Sequence, residues 1–180
     1  MPELSRDEIR QRFASATNFN EIFDAFESAI AQKIDDIELY RILFWNDSLR
    51  VEEIELFGEK LAREFPHASY DIYLWMASVF EAVFASKDNF EHSLLYYEKA
   101  ARVNPSAAEP YLHACDCYDP DLNIPPLEGL IEFVKHGLDA VTDKKTLCGR
   151  LSYLYHLLGD EDLAEYYRLK ADEAGEQPPQ

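Results

Sequence analysis

The chain has 180 residues, 47% of them hydrophobic and 13% aromatic, enough for one compact domain with a real core or a short array of repeats, and too much for a disordered chain. Asp and Glu number 35 against 17 Lys and Arg, a formal net charge of -18, and no stretch gathers enough positive charge to track phosphates, so nucleic acid is not expected as a direct ligand. Six glycines and nine prolines are too few and too scattered for a collagen-like or proline-rich chain, and they leave long stretches free to be helical.

The N-terminal MPELSRDEIRQRF carries charges where a secretory signal needs an apolar centre. No apolar run approaches the roughly 18 to 20 residues of a membrane span, so a cytoplasmic protein without a membrane partner is expected. Ser5 followed by Glu8 has the spacing of a capping box and predicts a helix over about 6–15. Asn20 is expected to cap a second helix, in which Ile22, Phe23, Phe26, Ile30 and Ile34 fall at the three-and-four spacing of one face. A third helix near 35–46 places Ile37, Tyr40 and Phe44 on one stripe, and a fourth near 50–64 places Val51, Ile54, Phe57 and Leu61 on another. Asn46, Asp47 and Ser48 make the turn between them and Pro66 ends the pair. Turns this short favour antiparallel helical hairpins. Residues 1–34 are thus expected as N-terminal helices and 35–66 as a degenerate hairpin.

From residue 74 the aromatic and small residues fall at regular offsets: Phe80, Phe84, Phe90, Tyr97, Ala100 and Pro105. Laid on a frame of about 34 residues, this stretch resembles a tetratricopeptide repeat, with Ala77 in place of the Trp and Glu81 in place of the Gly. A second unit, 108–144, carries Tyr111, Ala114 and Tyr118, then the long turn DPDLNIPP, then Leu130, Val134 and Gly137. A third, 145–174, carries Leu151, Tyr155, Gly159, Ala164 and Ala171; Arg168 takes its large aromatic position, and Tyr167 is expected to fill that gap. A non-repeating bundle would show the same apolar spacing, but the recurring hairpin length and the small residues favour an array. The half-a-tetratricopeptide variant, suggested by Trp75 with Phe80 and Glu81, is disfavoured because its Trp-to-Glu spacing is one residue short. The resemblance implies an all-α, right-handed solenoid over 35–174, with 175–180 as a flexible tail. The charges of the last helix, Asp160, Glu161, Asp162, Glu165, Asp172 and Glu173, are expected to give the terminal repeat a polar outer face.

Chemistry-bearing clusters are sparse. His113 and Cys117 stand four apart on one helix face and could begin a zinc site with Cys148 or His136, but no second closely spaced pair completes it, and cysteines packed between helices are the simpler reading. Three cysteines, two of them one residue apart, imply no disulfide framework. Asp119, Asp121 and Asn123 open like a calcium loop, yet Ile124 stands where glycine is required and Leu130 where a glutamate should close the shell. No phosphate loop, HExxH or GxSxG is present, and the five histidines lie on separate elements. No catalytic residue, metal or cofactor is therefore expected.

The resemblance implies a concave groove lined by the first helix of each hairpin. Carried over residue by residue, its positions are Trp75, Ser78 and Ala82 in the first unit, and Glu109, Leu112, His113 and Asp116 in the second. In the third they are Thr146, Arg150, Tyr153 and His156. The Lys, Arg and Asn set by which chaperone-tail-binding members clamp a carboxylate is absent apart from Arg150. A groove both aromatic and acidic suits a protein or peptide ligand with apolar anchors and positive charge. An adaptor or scaffold is the expected function, with a small acidic chaperone, or a metal protein or enzyme built on His113, Cys117 and Cys148, as alternatives.

Overall fold

The computed structural model describes residues 3–83 and 87–176. Among them are ten α-helices and no strand, and the chain divides into two compact units, Met1–Phe84 and Ala85–Gln180. That division falls inside the 74–107 frame. Phe84, one of the aromatic residues of that frame, lies outside the described residues.

The first unit holds α1 (Arg6–Ser15), α2 (Phe19–Ala31), α3 (Ile37–Phe44), α4 (Val51–Glu64), a 3-10 turn at Pro66–Ala68 and α5 (Ser69–Val83). The capping box forms: Ser5 Oγ accepts the Glu8 N–H and the Glu8 carboxylate accepts the Ser5 N–H at 2.8 Å. The second cap is Asn18 rather than Asn20. Asn18 Oδ1 accepts the N–H of Asn20 at 2.9 Å, and the helix starts early because Phe19 is held by aromatic contacts with Phe23 and Phe57. The third helix begins two residues later than expected, leaving Asp36 outside to pair with Arg6.

Phe57 is fully buried, its ring 4.8 Å from Phe26, 5.9 Å from Phe19 and 6.4 Å from Phe23, so α4 is fixed to α2 by a cluster of four rings. Tyr40 of α3 touches Phe13 of α1, Phe26 and Phe65, and its hydroxyl donates to Ile34 O at 2.9 Å. Burial pushes that hydroxyl's pKa well up. The turn residue Asn46 is buried and donates from Nδ2 to Phe13 O at 2.8 Å and Ala16 O at 3.0 Å, satisfying carbonyls that α1 leaves open at its C-terminus. Asn46→Ala is expected to cost about 1–3 kcal/mol by taking the side-chain donor from Phe13 O, while Ala16 O keeps the Ser48 hydroxyl at 3.2 Å; a midpoint in urea indistinguishable from wild type would mean that water reaches the Phe13 carbonyl.

These contacts place α1 beside α3, α2 beside α4 and α3 beside α5. The two N-terminal helices therefore pack on the next pair in the alternating manner of a repeat, side by side with α3 and α4.

The second unit holds α6 (Lys87–Val103), α7 (Glu109–Asp116), α8 (Leu127–Ala140), α9 (Lys144–Leu158) and α10 (Glu161–Glu176). Ala100, Tyr96 and Tyr97 of α6 are buried. The long turn after α7 is closed by its own polar groups: Asp119 Oδ1 accepts from Asp121 N and Leu122 N, and Asn123 Oδ1 accepts from Leu127 N and the Tyr118 hydroxyl. Gly137 lets α8 approach α7 and α9, since a Cβ there would lie 2.9 Å from the Tyr111 ring and 3.0 Å from Leu147 Cδ1. Gly159 ends α9 at a positive φ of 83°, which glycine adopts without strain. The last hairpin closes tightly: Tyr167 stacks on Tyr155 at 5.4 Å and 6°, and the Ser152 hydroxyl donates to Ala164 O at 2.8 Å. Tyr167 thus fills the gap left by Arg168, which is exposed and bound to Glu165 at 2.6 Å and Asp172 at 3.1 Å.

Candidate functional site

In the second unit α7 packs beside α9. The expected groove residues on these two helices are exposed or half-buried, none fully packed away. Asp116 of α7 and Arg150 of α9 meet in an ion pair of 2.7 Å that bridges the two helices. Tyr153, one turn beyond Arg150, is 55% exposed. His113 lies flat on Tyr97, ring centroids 5.9 Å apart at 9°, with Nε2 3.9 Å from Glu109. Leu112 is half-buried beside it.

His156 departs from the set. Its Nδ1 sits 2.8 Å from Glu161 Oε1 at the start of α10, because six residues of helix turn it roughly a third of a turn away from Arg150. Leu157, 37% exposed, shares the face of Arg150 and Tyr153 instead. That residue was available from the i, i+3, i+7 spacing and was missed.

In the first unit the expected residues are Trp75, Ser78 and Ala82 on α5, and Ala82 is exposed. Trp75 is half-buried, with the Arg41 guanidinium of α3 over its ring at 5.0 Å, and Ser78 is exposed with its hydroxyl donating to Leu74 O. Arg41 also pairs with Glu38 at 3.2 Å, and Trp45, one turn along from Arg41, is 52% exposed. Both tryptophans therefore sit on or at the ends of odd-numbered helices. Arg41 and Trp45 were not among the predicted residues, because the cation–ring contact joins residues 34 positions apart.

Among the described residues no three His, Cys, Asp or Glu side chains stand close enough to hold a metal ion. Cys115, Cys117 and Cys148 are buried and stand outside any disulfide. Burial pushes the Cys115 thiol up to about 12, with Arg150 pulling weakly the other way, and burial also raises Cys148. His113, the third member of the suggested cluster with Cys117 and Cys148, faces Tyr97 instead.

Alternating helices, hairpin turns and small residues at close crossings define an all-α, tetratricopeptide-like helical repeat protein. The crystal structure of MamA superposes with a TM-score of 0.55 at 17% identity, over 98% of this chain and 97% of that one. A second MamA crystal structure gives 0.55 at 16% identity over 94% and 93%. TTC0263, a thermophilic TPR protein of Thermus thermophilus, gives 0.50 at 20% identity over 94% and 91%. The likeness is one of fold. No family model matches the chain, and no curated protein matches it in sequence. Among the described residues no helix is long and apolar enough to cross a membrane.

Proposed function

We propose that the chain is a non-catalytic protein-binding module, an adaptor or scaffold, which holds an extended or helical peptide against the exposed face of α7 and α9. The observation that carries this reading is the Asp116–Arg150 pair bridging the two helices beside an unpacked Tyr153. An exposed tyrosine next to a fixed ion pair offers apolar area at low ordering cost and polar groups held in place. Glu109 supplies negative charge for a ligand with Lys or Arg among its apolar anchors, since the charge of Asp116 is balanced by Arg150. Within the first unit, Trp75 and Ser78, with Arg41 and Trp45, form a partly exposed surface of similar chemistry. An acidic chaperone would use the same face, and differs only in keeping its client from aggregating.

The test is capture from native lysate on the immobilised protein, compared with an Arg150→Ala/Tyr153→Ala double variant of unchanged circular dichroism. A protein held by wild type and lost by the variant supports this face as the site. Equal retention, or none, removes it.

A further inference from the structure

The expected polar outer face of the last helix is only half present. One side of α10 is charged, with Arg168 tied to Glu165 and Asp172. The other carries Leu163, Tyr166 and Leu169, which are 37%, 46% and 48% exposed. Leu157 and Leu158, at the end of α9, are exposed where the chain turns into α10. Apart from Tyr153 and Leu157 on the α9 face, four of the eleven large apolar residues exposed among the described residues, Leu158, Leu163, Tyr166 and Leu169, thus fall within twelve positions. Single exposed leucines need no explanation, but such a concentration does.

We propose that the outer face of α10 is a second docking surface, and that its occupant is an amphipathic helix from a partner protein with Lys or Arg beside its apolar anchors. The three side chains at i, i+3 and i+6 form a ridge about 9 Å long at 1.5 Å per residue, which fits the groove between side-chain rows of a packed helix. Charge selects the partner. Residues 161–176 hold six acidic and two basic side chains; Asp162 and Glu173 are exposed on the ridge's side of α10, while Lys170 lies over the Tyr166 ring at 4.7 Å, so the acidic excess attracts a basic helix. A second copy of the chain would bring -18 against -18. This surface is separate from the face of α7 and α9 and does not depend on it.

The probe is a fluorescein-labelled, Leu-based helical peptide of about four turns with Lys flanking its apolar stripe, and its counterpart with Glu in place of each Lys. Fluorescence anisotropy is followed against wild type, against a Leu163→Gln/Tyr166→Gln/Leu169→Gln variant of unchanged net charge, and against the Arg150→Ala/Tyr153→Ala variant. The expected result is saturable binding of the Lys peptide with a component that is at least tenfold weaker in the Gln variant and persists in the Arg150→Ala/Tyr153→Ala variant, whatever share of the probe the α7 and α9 face takes. The Glu peptide should not bind, and affinity should fall as salt screens the charges. Equal binding by wild type and the Gln variant would reduce the attraction to unspecific charge and overturn the proposal, as would no binding. Sedimentation velocity covers the remaining occupant: a wild-type dimer that the Gln variant abolishes would assign the face to a second copy and overturn it.

Discussion

Phe57→Ala is expected to lower the unfolding free energy by about 3–5 kcal/mol, the range for removing a large aromatic from a close-packed core. The ring is fully buried and contacts three phenylalanines of α2, so the deletion strips packing from four rings at once. Phe57→Leu, which refills much of the volume, should lose substantially less. Urea unfolding followed by circular dichroism measures both, and hydrogen exchange should show α2 losing protection before α5. A loss under about 1 kcal/mol for the alanine variant would mean that the remaining rings collapse into the space.

The second large effect concerns close approach rather than bulk. Gly137→Leu should destabilise by up to about 3 kcal/mol, because the first atom added already lies 2.9 Å from the Tyr111 ring and 3.0 Å from Leu147, and both neighbours are buried. Gly129→Ala in the same helix and Gly149→Ala in α9 meet nothing within 4 Å. There, replacing glycine by a better helix former should stabilise by about 0.5–1 kcal/mol. Opposite signs at chemically similar positions are the result to look for in thermal unfolding. Destabilisation of equal size at all three would mean that helix contacts do not distinguish these glycines.

These sites also mark what could be read in advance. The stripe of Val51, Ile54, Phe57 and Leu61 was legible because helical periodicity alone puts a buried face at that spacing; the last three are buried and Val51, at the helix start, is half-buried. The compensation of Arg168 by Tyr167 was legible because one residue's displacement keeps an aromatic on nearly the same side of the helix. Asn18 was missed as a cap because Asn20 has the same chemistry two residues on, and the choice is made by Phe19 packing against Phe57, 38 positions away. His156 was misplaced because its ring is fixed by Glu161 across the turn at Gly159, a partner that the α9 spacing does not reveal.

For this protein, then, sequence by itself determined the all-α class, nearly every helix, the Ser5–Glu8 capping box and the apolar stripes, because each depends on residues within about one turn of one another. Only the tertiary structure decided that α1 and α2 layer on α3 and α4, that Asp116 meets Arg150, that Arg41 covers Trp75 and that Leu163, Tyr166 and Leu169 of α10 stay exposed. Those features depend on which distant side chains share a face once helices pack, and the period of a single helix does not encode it.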